Sequence, residues 1–571
     1  MRSSPKWNLR KVDGKLIDQV VQEYKVPEPI ARIMASRGII ERSVVRAFFN
    51  PQQEQLYDPH LMKGMDMAVS RILDQLQNGH RILIFGDYDV DGTSAAALLT
   101  LFLRSVEGDV QYYIPTRETE GYGLSKTGID YAAGIGATLL ITCDCGINAV
   151  EQVEYANSKS IDVIVTDHHN PDTQLPAAYS ILNPKQKDCS YPFTGLCGCG
   201  VAFKLVQAIC DTGQFDPDLA WRHVDLVALG SAADLVPVVD ENRVLISLGL
   251  QQITAGAKPG IAALIQESGF AGREITVGRL VFWIAPKLNA AGRLGDAGRA
   301  VKLMITDNPA FAKKMAAELE RENKKRQVLT EQMVTEAATI VQQSSNLDSD
   351  CAIVLARRGW HAGVIGIVAS RIREMFHRPV FIISIDEDGI GHGSGRSIPA
   401  LDLYTSLQKC SDHLVGFGGH TVAAGLTLQE EQFEAFREQF LLTAAQSLTM
   451  ADLEPRITVD TPLQLTEITP RIMKFLKTLA PYGPGNMRPK FMAKNIRVNG
   501  IPRLVGRDQN VLQLKLMESK SCYSAVGFNM ADHYEKLIQN QPINIVFEIG
   551  ENVWNGVIST QLELLDIHAV E

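Results

Sequence analysis

RILIFGDYDVDG, residues 81–92, joins two patterns in twelve positions. Its first half is a compact apolar run of the length of a buried strand. Its second half brings Asp87, Asp89 and Asp91 at alternate positions before Gly92. Alternate residues of an extended chain point the same way, so these carboxylates converge just past the strand end. Clustered anions repel one another unless a cation compensates them, and hard divalent cations prefer such oxygen ligands. A calcium loop competes for the same residues, because Asp87, Asp89, Asp91 and Gly92 fit its early ligand positions. The place that should then hold a bidentate Glu is Leu98, however, and such a loop follows a helix rather than a strand.

Outward from this stretch the chain alternates. A helical run, 94–106, follows directly, and 110–115 (VQYYIP), 137–142 (ATLLIT) and 162–166 (DVIVT) read as further strands with helical segments between them. Near-continuous apolar strands separated by helices indicate an α/β lobe with a parallel sheet covered on both faces. Upstream, residues 1–50 read as short helices broken at Pro27–Pro29, and 67–77 as a helix ended by Gly79. Downstream, 310–345 lacks Gly and Pro and predicts a long connecting helix. A second α/β segment follows with strands at 351–356 and 379–384. From about 455 the alternation of 511–516, 543–550 and 562–567 predicts a small β-barrel. The expected divisions are 1–50, 51–305, 306–348, 349–452 and 453–571.

Three further apolar stretches end in metal-type side chains. ATLLITCDCG carries Asp144, DVIVTDHH carries Asp167, His168 and His169, and LVALGSAADLVP carries Asp234. Each is expected to be a strand end. Open α/β sheets bind ligands at the carboxyl ends of their strands, so Asp89, Asp91, Asp144, His168 and Asp234 should gather at one sheet edge. Mixed aspartate and histidine ligands suit Mn2+ or Mg2+, and this set suffices for two ions. Cys189, Cys197 and Cys199 invite a zinc reading, but no fourth ligand follows at a usual spacing.

Bulk composition sets the limits. The chain has 571 residues, 45% hydrophobic and 21% charged, which suits several globular domains. Its nine cysteines form no disulfide framework, and a reducing cytoplasm is expected. Residues 1–8 are polar, so no signal peptide is expected, and no apolar run reaches the ~18–20 residues of a membrane span. The net charge of −9 excludes a general basic coat for DNA. Residues 471–507 reverse that sign locally: Arg471, Lys474, Lys477, Arg488, Lys490, Lys494, Arg497, Arg503 and Arg507 stand there without any Asp or Glu. Phe475, Tyr482 and Phe491 lie among them, Phe475 as a core residue. Basic grooves with stacking aromatics are how OB-type barrels hold single strands, although a basic docking surface has the same composition.

The set DYDVDG, DCG, TDHH and GSAADLVP resembles the successive motifs of the DHH phosphoesterase superfamily. Further motifs resemble its RecJ family: PKLNAAGRLGDA (286–297), GWHAGVIGIVASR (359–371), GHGSGRS (391–397), GFGGHTVAAG (416–425) and LAPYGPGNMRPKF (479–491). The resemblance covers nearly all of the chain beyond about residue 50. It implies a parallel-sheet DHH catalytic domain, a connecting helix, a DHHA1-like α/β domain and an OB-like barrel. It implies a 5′→3′ exonuclease on single-stranded DNA in repair and recombination, with a phosphodiesterase of short oligonucleotides or cyclic dinucleotides as the alternative. Under it Asp89, Asp91, Asp144, His168 and Asp234 match metal ligands for Mn2+ or Mg2+. Asp87 and His169 match residues that support the site or touch the reacting phosphate. Arg293 matches a phosphate-binding arginine, Ser394 and Arg396 a pocket for the 5′ end, and His420 a histidine close to the substrate. The expected partners are single-stranded DNA, a single-stranded-DNA-binding protein and a helicase, with no membrane, for a cytoplasmic monomer. The connecting helix should set the metals on one wall of a cleft and the phosphate clamps on the other.

Overall fold

A computed structural model of the chain describes residues 5–344, 350–506, 508–539, 541–554 and 557–570. They form two compact units: Glu41–Arg326 with Leu479–Met487, and the remaining described residues.

The first unit is built on a parallel five-stranded sheet. Its order is Val110–Tyr113, Ile82–Gly86, Leu139–Cys143, Asp162–Thr166, Ser180–Leu182. Every residue of the second and third strands is buried, which is why they read as unbroken apolar runs. The register pairs Gly86 with Cys143 and Cys143 with Thr166, so these three strands end level. The residues that follow them, Asp87, Asp144 and Asp167, therefore share one edge of the sheet. Ser180–Leu182 has only three residues, too few for a periodic signature in the sequence.

One expected strand is a helix. LVALGSAA lies within the helix Val224–Ala233, whose first nine residues are all buried. An apolar run with no polar face has the same appearance in a buried strand and a buried helix, so periodicity cannot separate them. Asp234 follows a helix end, not a strand end.

The long helix runs Pro309–Ser344. Its first half is tied into the first unit by Lys287–Glu320 and by Arg299, whose guanidinium grips both oxygens of Glu322 at 2.7 and 2.6 Å. Its second half holds Arg357 (2.8 Å) and the Trp360 indole (3.1 Å) through Glu336 in the other unit.

The second unit contains two larger sheets. The first orders Gly416–Gly419, Ala423–Gln429, Ile390–Arg396, Val380–Ile385 and Ile353–Arg358; only the last pair is parallel. The second runs from Thr461–Pro462 to Arg503–Val505 through Phe491–Val498, Ile543–Trp554, Val557–Ala569, Ser521–Phe528 and Val511–Glu518. Arg497 and Val498 also pair with Met517 and Leu516, which partly closes this sheet into an OB-like barrel. The N-terminal segment is not purely helical as expected. Lys6–Leu9 is a strand, parallel to Arg456–Val459, and the Trp7 indole donates to Asp566 at 2.7 Å. A partner strand more than 400 residues away leaves no local signal. Among the described residues no helix is long and apolar enough to cross a membrane.

Candidate active site

The site begins with the turn after Ile82–Gly86. Asp89 is the N-cap of the helix Val90–Ser105, its carboxylate accepting from the backbone N–H of Asp91 (2.9 Å) and Gly92 (3.0 Å). Asp91 sits in the first turn, fully buried. Its two oxygens accept from the N–H groups of Gly198 (2.6 Å) and Cys199 (3.0 Å), at the N-terminus of the helix Gly198–Asp211. Orphan amides at a helix start suit a carboxylate. Space decides two neighbours. A Cβ on Gly198 would come within 2.5 Å of the Asp144 Cβ, and one on Gly230 within 2.7 Å of Asp91 Oδ1.

Asp144 follows Leu139–Cys143 with a left-handed backbone, φ 63°. After Asp162–Thr166, the buried Asp167 acts as a scaffold. It accepts from the N–H groups of Ile147 (3.0 Å), His168 (2.7 Å) and His169 (3.1 Å), and its Oδ1 lies 2.7 Å from His169 Nδ1. Burial alone would raise its carboxyl, but His169 and these amides hold it below the usual range. The same contact fixes the His169 ring and raises its basicity against the effect of burial.

His168 points the other way. Its Nε2 is 3.0 Å from Asp144 Oδ1, 3.7 Å from Asp234 Oδ2 and 3.9 Å from Asp91 Oδ2. Three groups have ligand atoms within 4.8 Å of one another: Asp91, His168 and Asp234; Asp87, Asp89 and Asp144; and Asp144, His168 and His169. All five residues read as ligands thus come together, although Asp234 arrives from a helix. Asp144 and His168 each belong to two of the three groups, so the groups run into one another.

The electrostatics are those of a cation site. Burial, then the crowd of Asp91, Asp89, Asp87 and Asp234, pushes the Asp144 carboxyl well above its ordinary value. Burial and Asp91 push Asp234 up to about 8, and burial and Asp89 push Asp87 up. Burial pushes the His168 imidazole down, which favours the neutral form that a metal would need. The buried atoms Asp87 Oδ1, Asp144 Oδ1 and His168 Nε2 make no aligned hydrogen bond. Buried polar atoms are normally satisfied. Orphaned oxygen and imidazole donors facing one another are the donor set of Mn2+ or Mg2+, and the residues fit such ions. The three cysteines of the zinc alternative belong to none of these groups among the described residues.

The other expected site residues come from further elements. Arg293 ends the helix Ala285–Leu294 in the catalytic unit. Its neighbour Gly292 packs on the DYD turn, where an added Cβ would meet the Tyr88 carbonyl at 2.9 Å. Ser394 and Arg396 lie on the strand Ile390–Arg396 of the other unit, Arg396 donating to Ser394 Oγ at 3.2 Å. Both approach Gly366 in the first turn of the helix Ile365–Phe376. His420 is in the exposed turn after Gly416–Gly419, its N–H donating to the Ala423 carbonyl at 2.8 Å. Phe475 is half-buried, beside the buried Ile472 and Leu476.

Two residues escaped the sequence reading. Tyr122, 57% exposed, places its hydroxyl 3.2 Å from the His169 ring nitrogens and 3.3 Å from the Asp144 carbonyl. Arg117 stacks over the Tyr88 ring, 5.3 Å from its centroid. Arg117 opens the one-turn helix Arg117–Glu120 and Tyr122 follows it, in a polar stretch without motif character. Their only signal was proximity in sequence to the strand Val110–Tyr113.

Residues 81–231 match the DHH family, N-terminal domain; 349–446 match the DHHA1 domain; 459–566 match the RecJ OB domain. The single-stranded-DNA-specific exonuclease RecJ of Bacillus subtilis is 35% identical over 99% of this chain and 71% of that protein. The protein of the same name in Escherichia coli is 37% identical over 82% of this chain and 83% of its own. This chain belongs to the RecJ family. A crystal structure of RecJ from Thermus thermophilus in complex with Mn2+ superimposes with a TM-score of 0.85 at 28% identity, over all of this chain and 80% of that one. A second, with Mg2+, gives 0.77. Membership of the RecJ family accounts for the succession of catalytic, DHHA1 and OB domains.

Proposed function

We propose that the chain is a metal-dependent 5′→3′ exonuclease of single-stranded DNA. The observation that carries this reading is the convergence of Asp87, Asp89, Asp91, Asp144, His168 and Asp234, with orphaned donor atoms facing one another. Asp89, Asp91, Asp144, His168 and Asp234 would hold two Mn2+ or Mg2+ ions. Such ions supply an activated water and offset charge at phosphorus in the transition state. His169, oriented by Asp167, and Tyr122 face the scissile phosphate, and Asp87 supports the ligands. Arg293, a planar fork suited to phosphate, holds the backbone beside the DYD turn. Ser394 and Arg396 hold the 5′-terminal phosphate, and His420 lies against the substrate.

The barrel supplies the longer grip. Arg497 pairs across with Met517, and Arg503 with Gln513. Lys515 lies between those two positions, on the same outward face of Val511–Glu518. Arg497, Arg503 and Lys515 are exposed, and none is in an ion pair among the described residues. This face is proposed as the track for the strand. The basic stretch is less uniform than its composition: Lys477 pairs with Glu551 at 2.8 Å, and Arg488 approaches Glu548 and Glu563 at 3.8 Å each. Arg507 lies outside the described residues. A single-stranded-DNA-binding protein and a helicase are proposed as partners of a cytoplasmic monomer.

The test is digestion of single strands labelled at either end, with Mn2+ and with Mg2+. Mononucleotide release from the 5′ end, and none from blunt duplex, is expected. Release from the 3′ end, or activity confined to dinucleotides and cyclic dinucleotides, overturns the reading.

A further inference from the structure

Leu479–Asn486, LAPYGPGN, takes no part in the chemistry above, yet it packs against the backbone that follows Asp234 within the same unit. Leu235, the next residue, has φ 59° and a side chain 53% exposed. A branched side chain in the left-handed region persists only where its surroundings impose it. Those surroundings are specific. The Val238 N–H donates to the Pro484 carbonyl at 2.6 Å. Asn242 donates to the carbonyls of Pro237 (3.1 Å) and Gly195 (2.6 Å). Gly483 lies so close that a Cβ there would stand 2.5 Å from Val238 Cγ2.

The segment is itself gripped. Arg243, 4% exposed, donates to the carbonyls of Ala480 (2.8 Å), Leu479 (3.3 Å) and Pro481 (3.3 Å). Its guanidinium also lies 3.6 Å from the Phe48 ring centroid and donates to the Phe48 carbonyl at 2.9 Å. Asn486 closes the turn on the carbonyls of Leu479 and Pro481, at 2.8 Å each. A buried guanidinium that spends its donors on backbone carbonyls fixes the path of those carbonyls.

We propose that Leu479–Asn486, held by Arg243, is a positioning clamp that keeps the strained backbone after Asp234 in place and so sets that carboxylate for metal. The inference rests on the reading of Asp234 as a metal ligand. Gly483 is the sensitive point, because any side chain there pushes Val238 and, four residues back, Asp234. The chain enters the clamp from the helix Pro470–Leu479 and leaves it toward the barrel strand Phe491–Val498, so the barrel's own polypeptide passes through the support of the metal site.

The experiment is calorimetric titration of the full-length protein with Mn2+ alone, paired with steady-state kinetics on single strands. Gly483→Ala should weaken Mn2+ binding by about tenfold, the low end of losses for groups that support metal ligands. It should lower turnover at limiting Mn2+ and leave KM for DNA unchanged. Adding Val238→Ala, which removes the clashing methyl, should restore Mn2+ affinity to near wild type. Arg243→Lys, which lacks the fork, serves as the second variant should Gly483→Ala fail to fold, and should weaken Mn2+ binding likewise. Asp234→Ala is the control. If it loses Mn2+ affinity while Gly483→Ala and Arg243→Lys keep it, the clamp is wrong and the ligand reading stands. A loss in Gly483→Ala that Val238→Ala does not restore also overturns the clamp. If Asp234→Ala keeps full Mn2+ affinity, the ligand reading falls and takes the clamp with it.

Discussion

Asp144 carries the densest physical conflict in the chain: a buried carboxylate among four others, with a left-handed backbone and an oxygen that makes no aligned hydrogen bond. A divalent cation would offset that crowding and let the carboxylate stay charged, so under the proposed function removing it should remove the chemistry. Asp144→Ala is expected to lower turnover by about three orders of magnitude, the scale of roughly 4 kcal/mol of transition-state stabilisation. Single-strand affinity measured without hydrolysis should change little, because phosphate contacts elsewhere supply it. Residual turnover near wild type in metal-replete protein would count against the assignment. Tyr122 makes a finer claim. Its hydroxyl touches His169 and the Asp144 carbonyl but belongs to none of the carboxylate and histidine groups. Tyr122→Phe should therefore lower kcat by roughly two- to tenfold, the worth of about one hydrogen bond, with Mn2+ affinity unchanged; altered Mn2+ affinity would make it part of the metal shell. The aspartates were legible because alternation after a strand is a chemical signature. Tyr122 was not, because a tyrosine in a polar loop looks like any other until the fold brings it to His169.

Among the elements, the barrel pair Ile543–Trp554 and Val557–Ala569 sets Glu548 directly opposite Glu563. Like charges across a ladder destabilise it, and Arg488, 3.8 Å from each, compensates only in part. Burial, with Glu563 adding to it, raises the Glu548 carboxyl to about 7. The folded state thus holds a proton that the unfolded chain releases at the ordinary Glu value near 4.5. Stability from this group is full below that value and is lost as pH rises through about 7. Glu548→Gln should therefore stabilise the protein at pH 8 by on the order of 0.5–1 kcal/mol, and by less at pH 5. Thermal unfolding at the two pH values checks this, and a larger gain at pH 5 would reverse the sign. Elements were read well where one pattern fitted one structure. The strands Ile82–Gly86, Leu139–Cys143 and Asp162–Thr166 fall within a residue or two of the sequence reading. The helix Val224–Ala233 was mistaken for a strand because burial on all sides erases periodicity. The glycine-rich strands Ile390–Arg396 and Gly416–Gly419 were legible only as motifs, since glycine weakens any strand pattern.

At the scale of the whole molecule, a chain of net charge −9 has to hold a polyanion. Its mean field opposes binding, so affinity has to come from local groups that their own neighbours do not neutralise. Part of the basic composition of 471–507 fails that requirement. Lys477 faces Glu551, and Arg488 faces Glu548 and Glu563. Counting charges in the sequence could not tell these from Arg497 and Arg503, because their acidic partners arrive from strands about 60 to 75 residues on. Lys515 lay outside the basic stretch altogether and joins the same face only through strand pairing. The salt dependence of binding should record this difference. For single strands the slope of log K against log salt changes by about 0.7 for each phosphate contact removed. Replacing Arg497, Arg503 and Lys515 with Gln together should therefore flatten the slope by roughly 2 on a long strand. Lys477→Gln should leave it nearly unchanged, since that ammonium is already paired. The triple variant should bind oligonucleotides of a few nucleotides as the wild type does, and single-turnover cleavage at saturating enzyme should keep its rate. Equal losses on short and long strands would place the contacts at the metal site instead. An unchanged slope on long strands would remove this face of the barrel from the path of the DNA.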